Sequence, residues 1–116
     1  MTSFLKPLAF AVSLMSSAAF ADPGAYLEIT LKIAPENREA AAAIYTQYRE
    51  PFLTTVAGAE LKVLLVREDD VQVLHGFDTV ASAMAYLDSE LFTNDVFVAL
   101  KPLVMADPEV RVYQAN

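Results

Sequence analysis

An α+β domain in the order β-α-β-β-α-β, a ferredoxin-like split βαβ arrangement on an antiparallel sheet, is predicted by three observations. Residues 26–33 alternate strictly, with Leu27, Ile29, Leu31 and Ile33 on one face and Tyr26, Glu28, Thr30 and Lys32 on the other, which is the period of a half-buried strand. Two apolar runs, 59–67 and 71–77, meet across Glu68-Asp69-Asp70 as the arms of a hairpin do. Apolar residues at helical spacing follow the first strand and follow the hairpin again.

Ahead of the first strand stands a segment of a different kind. Lys6 is the only charge before Asp22, Pro7 to Met15 is apolar, and small residues lead to Ala19-Phe20-Ala21. A charged start, a short apolar stretch and an A-x-A-like site predict a signal peptide over 1–21, cleaved after Ala21, and hence a periplasmic or secreted protein. A membrane anchor is the competing reading. Phe4 to Ala21 is eighteen residues broken by Pro7, Ser13, Ser16 and Ser17, whereas a span needs about 20 mostly apolar ones. No cysteine follows the site to carry a lipid.

Removing residues 1–21 of 116 leaves one domain of 95, with seven basic against fifteen acidic side chains, net −8. Such a chain repels phosphate, and no basic stripe interrupts it, so nucleic acid and anionic membranes are not expected partners. With no cysteine in the chain, disulfides do not staple this small core. Dimerisation is another way to bury more surface.

After the first strand, Pro35 suits the first turn of a helix and Glu36 complements its dipole. Ala40, Ile44, Tyr48, Phe52 and Val56 recur every four residues and predict its apolar face. Pro51 predicts a break or kink near Glu50, with a short second helix to Val56, and Gly58 lets the chain turn. The hairpin strands carry apolar residues on both faces: Leu61, Val63 and Leu65 against Leu64 and Val66, then Val71 and Val73 against Leu74. A sheet covered on one side alternates more cleanly, so the second face is expected to meet a partner's sheet in a homodimer. Val80, Met84, Leu87 and Leu91 form the stripe of the next helix. A short helix over 94–104, with Phe97, Leu100 and Val104 inward, is ended by Asp107-Pro108, and 110–113 is the last strand.

The stretch Val73 to Phe92 has a distinctive layout. A strand ends in Phe77, a helix follows, and it closes with Tyr86-Leu87-x-Ser89-x-x-Phe92. This resembles the antibiotic-biosynthesis-monooxygenase-like branch of the dimeric α+β barrels, in which the strand typically ends in Trp and the helix in His-Leu-x-Ser-x-x-Phe. Phe77 stands at the Trp position and Tyr86 at the His position. The resemblance implies a dimeric α+β barrel. It also implies a choice among cofactor-independent oxygenases, isomerases, haem-degrading oxygenases and proteins of no known activity. Haem ligation in that family is expected of the helical His; Tyr86 takes its place here, and tyrosine is a less common ligand of ferric haem.

No catalytic motif is present. There is no G-x-S-x-G serine and no glycine-rich phosphate loop. The adjacent carboxylates at 68–70, beside Arg67, lack calcium-loop spacing and read as a solvated turn. No metal site is expected. His75 is the only histidine and has two readings, a general base or a satisfied strand residue, and the second is the more frequent. Gly76 beside it marks either a bulge at a pocket wall or eased packing. Tyr86 lies off the apolar stripe of its helix and either lines a groove or faces solvent. The catalytic candidates are therefore His75 and Tyr86, and the ligand-binding candidates Tyr48, Phe77 and Tyr86, in a pocket between the sheet and its own helices. The leading expectation is an exported homodimer that binds a small apolar or aromatic molecule without a cofactor. The alternatives are a cofactor-independent monooxygenase or isomerase, and a periplasmic haem-handling protein.

Overall fold

A computed structural model describes residues 22–116, so the signal-peptide expectation for 1–21 lies outside the described residues. Strand β1 is Ala25–Leu31, helix α1 Arg38–Thr55, strands β2 and β3 are Ala59–Val66 and Val71–Phe77, helix α2 is Val80–Leu87, and strand β4 is Glu109–Gln114. Between α2 and β4 the chain coils through Leu91–Val96 in wide turns, Phe97–Leu100 as a short helix α3, and Lys101–Leu103 as a 3-10 turn. The sheet order is β2-β3-β1-β4 with every neighbouring pair antiparallel. Each βαβ crossover thus skips one position, and a strand of the other unit fills it. This is the predicted ferredoxin-like α+β fold. Among the described residues no helix is long and apolar enough to cross a membrane.

The alternation in β1 places Ala25, Leu27, Ile29 and Leu31 in the core, and Ile33 continues the face through an isolated bridge to Val104. Helix α1 departs from expectation at both ends. Its buried residues are Ala41 and Phe52, while Ala40 faces solvent. The turn of the helix therefore carries Ala41, Tyr45, Tyr48 and Phe52 toward the sheet. Pro51 produces no break, and the helix runs on to Thr55. The carbonyl that proline deprives of a partner is that of Gln47, which is exposed, so water can take it. Arg38 fastens the start of α1: Nε donates to the Ile33 carbonyl at 2.8 Å, and the two terminal nitrogens donate to the Arg67 and Glu68 carbonyls at 3.0 and 2.8 Å.

The turn at 68–70 is less solvated than its composition suggests. Asp70 is buried and grips Arg67 at 2.6 and 2.9 Å, and this pairing holds its carboxyl below the usual carboxylate range. Gly58 has φ of +80°, and a Cβ there would collide with the Asp78 carboxylate and the Ser82 side chain. Gly76 eases packing: it lies opposite Leu61 beside the irregularity at Ala59/Leu61, and a Cβ there would come within 2.7 Å of Pro23.

Helix α2 also presents a different face from the predicted one. Val80 and Met84 are exposed; Ala83 and Tyr86 are buried. With a small residue at 83 the short helix sits close on the sheet and drives Tyr86 into the core. Thr79 caps it, accepting from the Ser82 amide at 3.1 Å. Ser89 ends it, donating to the Tyr86 carbonyl at 2.6 Å and accepting from the Phe92 amide at 3.2 Å, which starts the next helical segment. In that segment Val96 is the buried residue, while Phe97, expected inward, is 37 % exposed and packs against Phe92 at the cavity.

Candidate functional site

A cavity of about 360 Å³ lies between the sheet and the helices. Its floor is the helix side of the strands, including Ile29, Leu64 and Val73, and its walls come from α1, α2 and the segment 92–104. Most of the lining is apolar, as small-molecule sites are. Tyr48, His75 and Tyr86 all line it. The structure therefore brings three of the sequence-derived candidates together. It does not bring Phe77 to the cavity: that ring is fully buried behind Phe52 and Tyr86, with centroids 5.5 and 5.9 Å away. Phe77 is a packing residue here, because α2 begins immediately above it.

The Phe52 ring is the hub. His75, Phe77 and Tyr86 approach it edge-on, at centroid distances of 5.2, 5.5 and 5.0 Å. His75 Nδ1 stands 3.1 Å from the Leu27 carbonyl. A carbonyl only accepts, so Nδ1 carries the proton and the neutral ring keeps its lone pair on Nε2. Burial pushes the His75 pKa down to about 3; the Lys62 charge adds to the fall, and the Leu27 and Val73 carbonyls oppose it. His75 is thus a strand residue with its Nδ1 proton satisfied, and not a base poised near neutrality. Tyr86 is buried, its hydroxyl has no hydrogen-bond partner, and burial raises its pKa. A buried orphan hydroxyl costs about 1–3 kcal/mol unless a water or ligand meets it.

Lys62 went unnoticed in the sequence. It is 3 % exposed, sits opposite His75 in the sheet register and lines the cavity. Its amine lies 5.2 Å from the Phe52 centroid and 5.7 Å from that of Tyr45, and the Tyr45 hydroxyl donates to the Lys62 carbonyl at 2.9 Å. Desolvation, aided by the nearby Arg49 charge, lowers its pKa to about 8. The signal was present in the period of β2. Lys62 shares the face of Leu64 and Val66, so it had to enter the helix-covered side.

No family model matches the chain, and no curated protein matches it in sequence. Solved structures do match in fold. A protein of Caulobacter crescentus carrying a provisional assignment as an antibiotic biosynthesis monooxygenase superposes with a TM-score of 0.70 at 14 % identity, over 82 % of this chain and 92 % of its own. One of Bordetella bronchiseptica with the same provisional assignment gives 0.69 at 18 % identity, over 80 % and 98 %. A conserved protein of Methanosarcina mazei gives 0.69 at 14 % identity, over 79 % and 92 %. The fold is the ferredoxin-like fold of antibiotic-biosynthesis-monooxygenase-like proteins.

Proposed function

We propose that this domain is an exported homodimer whose helix-side cavity takes up a small, mainly aromatic molecule and oxygenates it without a cofactor. The observation that carries this reading is the meeting of His75, Tyr86 and Tyr48 in one apolar cavity. The provisional monooxygenase assignment of two fold neighbours supports the reaction type. In that reaction the substrate itself reduces dioxygen. The protein's part is to hold the ring, exclude water and direct hydrogen bonds to the reacting oxygen. Tyr86 supplies a free donor and His75 Nε2 an acceptor. The aromatic cluster around Phe52 fixes the position of both.

Incubating the purified protein with 1-naphthol under labelled dioxygen tests the chemistry. The expected product is the naphthoquinone bearing one labelled oxygen, with water as the other product. Tyr86→Phe and His75→Ala should slow it, the latter read only if thermal unfolding shows a folded protein. Binding without oxygen uptake across a panel of polycyclic phenols would reduce the protein to a binding module. That second reading is favoured by one observation: His75, with its pKa near 3, is a weak base at neutral pH. Haem is the less favoured ligand on the Tyr86 side of the cavity. Ferric ligation needs a tyrosinate, whereas burial keeps the Tyr86 phenol protonated, and the rings of Phe52, His75, Phe77 and Phe92 all pack within 6 Å of its own.

The homodimer reading is supported by the opposite face of the sheet. Leu61, Val63, Leu74, Tyr26 and Tyr113 share it with Leu65, which is 43 % exposed. Fully burying an exposed side chain of this kind is worth roughly 1.5–3 kcal/mol, and these, already partly covered, would contribute a fraction of that each. For export, mass spectrometry of protein from the cell envelope should find an N-terminus at Asp22, and an intact Met1 chain would contradict it.

A further inference from the structure

The distribution of charge around the cavity runs against that of the whole chain. The protein carries eight Lys and Arg against fifteen Asp and Glu. Yet three of the eight cations, Arg38, Lys62 and Lys101, line the cavity, and Asp107 is its only lining carboxylate. Among them Lys62 is distinguished by depth. Among the described residues no carboxylate lies within 4 Å of its amine, which stands near the rings of Phe52 and Tyr45. A buried ammonium in an apolar pocket lacks the anion that would balance it. Tyr86 contributes a second, independent lack: a buried hydroxyl aimed at no acceptor, on the same cavity wall system around Phe52. Each lack is of the kind an anionic oxygen group fills, and both side chains line the same cavity.

We infer that the cavity selects molecules with an apolar ring body and one anionic oxygen group, carboxylate or phenolate, with Lys62 as the counter-charge and Tyr86 as hydrogen-bond donor. This rests on the cavity reading above and narrows its ligand class. The ring body packs on the apolar floor of Ile29, Leu64 and Val73. Neutral His75 adds no competing positive charge and accepts any hydroxyl on the ligand through Nε2. The polar and titratable groups around the cavity are accounted for element by element. Helix α1 presents Arg38, Tyr45, Tyr48 and Arg49, β3 presents His75, and α2 presents Tyr86. The last helical segment presents Lys101, and the loop before β4 presents Asp107. Their sum favours an anion, and the preference should fade as the pH rises past the point where Lys62 loses its proton.

The test compares 1-naphthoate with its neutral isostere 1-naphthamide by calorimetric titration at pH 7, adding 2,4-dinitro-1-naphtholate as an ionised phenol. Naphthoate is expected to bind at least tenfold more tightly than the amide. The better of the two anions identifies the headgroup. Lys62→Met should bring the acid-to-amide ratio to about one, and Lys62→Arg should retain it. Thermal unfolding of each variant establishes that it is folded; methionine fills a similar apolar volume. Raising the pH to 9.5 should weaken naphthoate and leave the amide unchanged. Equal binding of acid and amide, or a ratio that survives Lys62→Met, would overturn the charge assignment while leaving the cavity as a binding site. Failure of all three probes to bind would remove the cavity reading itself along with this one.

Discussion

The two faces of the sheet each carry an exception to the usual arrangement. The side covered by helices buries a lysine, a histidine and an unpartnered phenol. The side left open displays Leu61, Val63, Leu65 and Leu74. With an apolar core under the helices, a sheet built only for stability would leave the lysine in water. The covered face therefore carries a cost in desolvation, which a ligand of the right charge offsets. The open face carries a cost in hydration, which a second sheet would offset. On the proposed reading, one face takes a small molecule and the other a second copy of the chain.

The largest effect is expected on the open side. Val63→Glu combined with Leu65→Glu should convert a dimer to a monomer in sedimentation at micromolar concentration. A wild-type protein already monomeric there would break the comparison.

Next in size is acid sensitivity on the covered side. The folded-state pKa of His75, about 3, lies below its unfolded value of about 6.5. As the pH falls through 6.5 the unfolded chain takes up a proton that the native state refuses, so stability is lost progressively toward pH 3. Between pH 7 and 4.5 the loss should be about 2–3 kcal/mol in urea unfolding. His75 is the only histidine, and the depressed carboxyls of Asp70 and Asp78 lose their contribution only below about pH 4. His75→Gln should flatten that slope, and an unchanged slope would argue that the ring is reached by water.

A smaller effect, opposite in sign to most core substitutions, is expected of Lys62→Met. Removing an unbalanced buried charge should stabilise the ligand-free protein by about 1–3 kcal/mol, a rise of several degrees in Tm. Leu64→Met, on the same face one step along the strand, should show no such gain.

What was legible in the sequence follows the same division. Period two survives any partner, so β1 and the hairpin arms could be read directly. The open face was legible too, because Leu61, Val63 and Leu65 stand where a solvated face would be polar. Helix phase was harder to read. In α1 and α2 alanines occur on both sides, and the choice between Ala40 and Ala41, or between Met84 and Ala83, is made by how closely the helix approaches the sheet. Tyr86 followed from that choice, and its burial could not be read from the stripe of Val80, Met84 and Leu87. Phe77 was misplaced for the same reason: α2 closes over it. Lys62 was hidden by its type. A lysine in a strand is ordinarily solvated, and only its register with Leu64, Val66 and His75 places it under the helices.

The account turns on an unbalanced cation beneath the helices, and the protonation of Lys62 reports it directly. A carbon-detected NMR titration of the Lys62 ε-carbon, with and without 1-naphthoate, should give a midpoint near 8 in the free protein and a rise toward the ordinary lysine value of about 10.4 when the anion is bound. A free-protein midpoint already at that ordinary value, unmoved by the anion, would mean that the amine reaches water, and would contradict it.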